Sequence, residues 1–128
     1  MDKFTILMYE DDLEYKDSFE YNLQSKFLVR GCELVIDHRV NGDTIEQDLI
    51  VSNPNLIMID HDLGTLTGEE IIDILDNMPE FTKVLLIYYS GGESLDDLIE
   101  KTKKYNCHIQ CYTKEGDDLE TAILKMVR

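Results

Sequence analysis

The chain has 128 residues, enough for one compact domain, and its 43% hydrophobic and 30% charged residues suit a folded core rather than a disordered tail. Its 27 Asp and Glu against 12 Lys and Arg leave a formal net charge of −15, which repels phosphate backbones and anionic lipid surfaces, so neither direct nucleic-acid binding nor membrane binding is expected. Cys32, Cys107 and Cys111 are odd in number and lack metal-binding spacing, which argues for reduced thiols over a disulfide framework or a zinc site.

In chain order, the first apolar run, Phe4 to Tyr9, is strand-sized and ends in Glu10, Asp11 and Asp12. It is too brief for a signal-peptide core, and no stretch reaches transmembrane length, so a cytoplasmic location is expected. Tyr15, Phe19, Leu23 and Phe27 then recur at helical period. A second strand over Leu34 to Ile36 and a helix carrying Ile45 and Leu49 follow, and a third strand, Leu56 to Ile59, runs into Asp60, His61 and Asp62. Thr67 with Glu70 three residues on, and Ser94 with Asp97, mark the starts of helices that carry Ile71, Ile72 and Leu75, and Leu95, Leu98 and Ile99. Between those helices Val84 to Tyr89 forms a fourth strand, ending in Ser90, Gly91 and Gly92. A weaker fifth strand, His108 to Thr113, leads to Lys114 and a last helix with Leu119, Ile123 and Leu124.

Strand and helix alternate five times, and the uninterrupted apolar runs Leu56 to Ile59 and Val84 to Ile87 fit strands covered on both faces. The expected architecture is an α/β (βα)₅ fold, a doubly wound parallel five-stranded sheet, with residues 1–128 as one domain. In such sheets chemistry gathers beyond the carboxyl ends of the strands. There the acids of the first and third strands would converge, and several carboxylates in one crevice call for a hard cation such as Mg²⁺. Ser90 with its two glycines offers a hydroxyl and backbone amides to an oxyanion, and Lys114 offers a positive charge, so the strand ends describe a phosphoryl site. His61 and the pair Tyr88 and Tyr89 read as structural, and His38 and His108 carry no motif.

These residues resemble the receiver domains of bacterial two-component signalling across essentially the whole chain. The family's acidic pair is matched by Glu10 and Asp11, its phospho-accepting aspartate by Asp60, its glycine eight residues later by Gly68, its strand-four hydroxyl by Ser90, the small residue after it by Gly91, and its strand-five lysine by Lys114. The resemblance implies a flavodoxin-like sheet in strand order 2-1-3-4-5 and a divergent, stand-alone response regulator in a phosphorelay. Asp60 would accept a phosphoryl group with Mg²⁺ held by Asp11, by Asp60 itself, by Glu10 directly or through water, and by the backbone carbonyl of Asp62. It also implies a histidine kinase or phosphotransfer protein as donor, a downstream protein as partner, and an output face around strands four and five that leaves a homodimer open. The chain would be the substrate of a kinase more than an enzyme.

The sequence departs from the family pattern at four places. Glu115 stands where a proline and its cis peptide are usual, with Gly116 available for the bend. Cys111 stands at the aromatic switch position, with Tyr112 on the opposite face. Gly64 replaces a common proline, and Asp62 adds an anion beside the acceptor. Two other readings therefore stay open: a pseudo-receiver that binds a partner without phosphorylation, and a metal-dependent hydrolase of cyclic phosphates, suggested by the string from Asp60 to Gly68.

Overall fold

The computed structural model describes residues 2–64, 66–81 and 83–127. The apolar runs become strands β1 (Asp2–Tyr9), β2 (Cys32–Arg39), β3 (Leu56–Asp60), β4 (Leu85–Ser90) and β5 (Ile109–Thr113). The helical repeats become α1 (Leu13–Val29), α2 (Ile45–Ser52), α3 (Gly68–Asp76), α4 (Leu95–Thr102) and α5 (Asp118–Leu124). Polar side chains start three of the helices. Asp12 accepts the Tyr15 amide, Ser94 accepts the Asp97 amide, and Thr67 with Glu70 forms a reciprocal capping box.

All five strands are parallel and lie in the order β2-β1-β3-β4-β5, so the doubly wound sheet read from the sequence is the observed one. Alternation along each strand sends side chains to two separate cores. On one face Ile6, Met8, Met58, Ile87 and Tyr89 meet Phe19, Leu23 and Phe27 of α1 and Leu119 and Ile123 of α5. On the other, Leu7, Tyr9, Ile57, Ile59 and Tyr88 meet Ile45 and Leu49 of α2, Ile71, Ile72 and Leu75 of α3, and Leu98 of α4. β1, β3 and β4 are buried on both sides, which is why they read as unbroken apolar runs.

β2 extends beyond its apolar run because it pairs with β1 over its whole length, Asp2↔Cys32 to Tyr9↔Arg39. Its polar end delivers Asp37, His38 and Arg39 to the carboxyl edge of the sheet. There Asp48 of α2, itself buried, accepts the Tyr9 hydroxyl at 2.8 Å and Arg39 Nε at 3.2 Å, and Arg39 also pairs with Asp37. A buried carboxylate tied to a guanidinium and a phenol has its charge and lone pairs accounted for.

Gly68 sits where α3 turns back against β3. A Cβ there would lie 2.6 Å from Tyr88 Cε1, 2.7 Å from the Asp60 carbonyl oxygen and 3.1 Å from His61 Cα. Two of these neighbours are backbone and cannot yield locally. Gly68→Ala is therefore expected to destabilise the fold by about 2 kcal/mol through overpacking, seen in urea unfolding as a lower midpoint; a midpoint equal to the parent's would contradict the close approach.

Candidate functional site

Parallel register decides which acids meet. Tyr9 pairs with Ile59 and Asp60 pairs with Tyr89, so the residues that end β1, β3 and β4 lie side by side at one edge of the sheet. Glu10 and Asp60 are both buried there, with relative exposures of 0% and 2%, while Asp11 is exposed. One carboxylate oxygen from each of Glu10, Asp11 and Asp60 lies within 4.8 Å of the others.

Lys114, at the end of β5, reaches across and bridges the two buried acids, its Nζ 3.0 Å from Glu10 Oε1 and 3.2 Å from Asp60 Oδ2. Burial works against the Lys114 charge, but the Glu10 hydrogen bond and the charges of Asp60 and Glu10 outweigh it and hold the ammonium above its ordinary range. Burial, together with hydrogen bonding to and repulsion from Glu10, pushes the Asp60 carboxyl up to about 6, against the Asp62 amide and Lys114, which pull it down. One cation does not balance this crevice. Glu10, Asp11 and Asp60 supply hard oxygens at a mouth that Asp11 leaves open to water, the donor set that suits Mg²⁺.

Each remaining site residue has a defined partner. The Asp62 amide donates to Asp60 Oδ1 at 3.1 Å and so orients the Asp60 carboxylate. Ser90 is buried; its hydroxyl donates to Asp62 Oδ2 at 3.0 Å and accepts the amides of Gly92 and Glu93, each at 3.0 Å. Gly91 faces the Lys114 stem, its would-be Cβ 3.3 Å from Lys114 Cδ, so the small residue keeps the lysine's path clear. The loop after Lys114 turns at Gly116, whose φ of +78° lies in the left-handed region, and no cis peptide occurs among the described residues.

His61 Nδ1 is hydrogen-bonded with the Tyr88 hydroxyl, and Nε2 lies 3.6 Å from Glu93 Oε1 and 3.9 Å from Asp62 Oδ1. Cys111 points to the α4 side, its Sγ 3.5 Å from Thr102 Oγ1, while Tyr112 packs on the α1 and α5 side. On the α4 side of β5 this position therefore carries a thiol and not an aromatic ring.

Three residues act at the site beyond those singled out from the sequence. His38 Nε2 donates to the Glu10 carbonyl at 2.7 Å, the Tyr89 hydroxyl donates to Glu10 Oε1 at 3.0 Å, and the Tyr15 ring lies 4.4 Å from Lys114 Nζ. Tyr89 was findable, because a strand residue paired with Asp60 shares its face. His38 and Tyr15 reach the site from an edge strand and a helix, where no local pattern announces them.

No family model matches this chain, and no curated protein sequence matches it. Among solved structures it is similar to response-regulator receiver domains over nearly its whole length. A signal receiver domain of a DNA-binding response regulator from Colwellia psychrerythraea 34H superposes with a TM-score of 0.73 at 21% identity, covering 97% of this chain and 98% of that one. The chemotaxis protein CheY4 of Vibrio cholerae gives 0.76 at 12% identity over 98% and 99%, and the receiver domain of a signal transduction histidine kinase from Syntrophus aciditrophicus gives 0.75 at 18% over 97% and 89%. The fold is that of the receiver domains.

Proposed function

We propose that this chain, which has the receiver-domain fold, is a phosphoryl-accepting signalling switch in a two-component phosphorelay, with Asp60 as the acceptor. The observation that carries this reading is the convergence of Glu10, Asp11, Asp60 and Lys114 at one edge of the sheet, three clustered carboxylates of which the two buried ones share one ammonium.

In the proposed reaction an Asp60 carboxylate oxygen attacks the phosphorus of a phosphohistidine or a small acyl phosphate. A P–O bond to Asp60 forms as the bond to the leaving imidazole or carboxylate breaks. Mg²⁺ held by Asp11, Asp60, Glu10 and the Asp62 carbonyl would neutralise charge on the transferring oxygens. Lys114 supplies the fixed positive charge next to Asp60, and the Asp62 amide holds the carboxylate in its attacking orientation. Ser90 then turns its hydroxyl to the phosphorylated Asp60, and the face of β4, β5 and α4 shifts toward a partner-binding population. The partners are a kinase or phosphotransfer protein upstream and a protein downstream, in the cytoplasm, and residues 1–128 work as one domain. The reading makes the chain a kinase substrate rather than an enzyme. Among the described residues no helix is long and apolar enough to cross a membrane.

Intact-mass spectrometry after incubation with acetyl phosphate, with and without Mg²⁺, tests the proposal on the parent and Asp60→Asn. The expected result is one added phosphate, dependent on Mg²⁺ and lost in the variant. No adduct under any condition sinks the reading.

A further inference from the structure

We propose that Tyr89 and Tyr15 are positioning residues of this site: the Tyr89 hydroxyl fixes the Glu10 carboxylate, and the two rings hold the Lys114 ammonium against Asp60. The proposal rests on the phosphoryl-accepting reading for its kinetic consequence, and on the geometry alone for the rest.

Tyr89 is completely buried, and within that burial its hydroxyl donates to Glu10 Oε1, 3.0 Å away. A phenylalanine would fill the same space in the α1 and α5 core, so what the hydroxyl adds is its hydrogen bond to a charged acceptor. Glu10 is thereby held from several sides. Oε1 takes the Tyr89 hydroxyl and Lys114, Oε2 takes the Asp12 amide at 3.0 Å, and its backbone carbonyl takes His38.

The same two rings surround the lysine. Lys114 Nζ lies 4.4 Å from the Tyr15 ring centroid and 5.6 Å from that of Tyr89, and the rings stack on each other at 5.9 Å with 27° between their planes. A lysine stem has four rotatable bonds, and Glu115 and Gly116 follow it with no proline to stiffen the backbone. Attraction to two ring faces restricts where the ammonium can go, and the direction left open leads to Glu10 and Asp60. Tyr15 also borders a cleft of ≈ 200 Å³ shared with Lys114 and Leu119, so shortening its side chain widens an existing cleft instead of opening a sealed void.

The test compares Tyr89→Phe, Tyr15→Leu and Tyr15→Phe with the parent by three readouts. These are Mg²⁺ affinity by calorimetry, the Lys114 ε-methylene proton shift by NMR in metal-free buffer, and the acetyl phosphate dependence of phosphorylation. Tyr89→Phe is expected to weaken Mg²⁺ binding about tenfold, as losing a residue that orients a metal ligand does, and to lower the plateau rate with half-saturation unchanged. Tyr15→Leu is expected to reduce the ring-current shift of Lys114 to the part due to Tyr89 and lower the plateau rate about fivefold, while Tyr15→Phe stays within about twofold of the parent because the ring is kept. Residues that merely fill space predict parent Mg²⁺ affinity and plateau rate in Tyr89→Phe and an unshifted Lys114 resonance in the parent; that combination overturns the proposal. If the parent takes up no phosphate, the switch reading falls, and the Mg²⁺ affinity and Lys114 resonance alone decide the role of the tyrosines.

Discussion

Lys114→Met is expected to destabilise the metal-free protein by about 3 kcal/mol at pH 7, as breaking a buried ion pair from one side does. Methionine keeps most of the stem and its packing beside Tyr15, so the loss isolates the charge. Without the ammonium, Glu10 and Asp60 face each other in a crevice where their exposures are 0% and 2%. Lys114 is the cation that pulls the Asp60 carboxyl down, so its removal sends that carboxyl higher still. The penalty then depends on pH in a defined sense. At pH 5 Asp60 takes a proton at little cost and the repulsion is relieved, whereas at pH 7 the folded variant must either keep two facing carboxylates or bind a proton against a higher pH, so the loss is larger. Urea unfolding of parent and variant at both pH values checks this. An equal loss at the two would mean that the lysine acts by packing and not by charge.

The opposite sign is expected for Asp60→Asn, which should stabilise the metal-free protein by about 2 kcal/mol at pH 7. Asp60 sits at about 6, some two units above an ordinary aspartate, and each unit is worth about 1.4 kcal/mol. That value is already net of the attraction to Lys114, but an amide Nδ2 in place of the oxygen that faces the lysine takes back part of the gain. Because the folded-state value is raised, folding favours the protonated acid. Its contribution is whole below the ordinary carboxylate value, declines as pH rises toward about 6, and is absent above it. The parent should therefore lose stability relative to the variant across that window. Mg²⁺ should narrow the gap at pH 7, since a cation that binds the folded state stabilises it by mass action. Thermal melts of both proteins from pH 4 to pH 7.5, with and without Mg²⁺, read this directly. A variant less stable than the parent at pH 7 without metal would show that the buried carboxylate is not under strain.

The architecture was readable because its physics is local and repetitive. Leu56 to Ile59 must be covered on both faces, Thr67 with Glu70 must start a helix, and such units in alternation close into a parallel sheet. The core of the site was readable for the same reason, since Glu10, Asp60, Ser90 and Lys114 all end strands. Partnerships between elements that are neighbours only after folding were not. Tyr15 occupies an apolar helical position and does pack, yet the ring also faces Lys114, ninety-nine residues away in the chain. Asp48 stands among Ile45 and Leu49 like any solvated helix acid, and only the long polar end of β2 explains why it is buried against Arg39 and Tyr9. Nor could strand alternation tell whether Asp62 would face the acceptor or the hydroxyl opposite; its amide does the first and its carboxylate the second.

That division of Asp62 sets the sensitivity of the proposed switch. In the resting chain the Ser90 hydroxyl already donates to a carboxylate, so turning toward a phosphorylated Asp60 exchanges one anionic acceptor for another. The drive for the turn is the difference between two charge-assisted hydrogen bonds, smaller than either. On that reading Asp62 is the counterweight on the balance: its side chain would set the fraction of molecules that signal at a given load of phosphate, while its backbone serves the transfer itself.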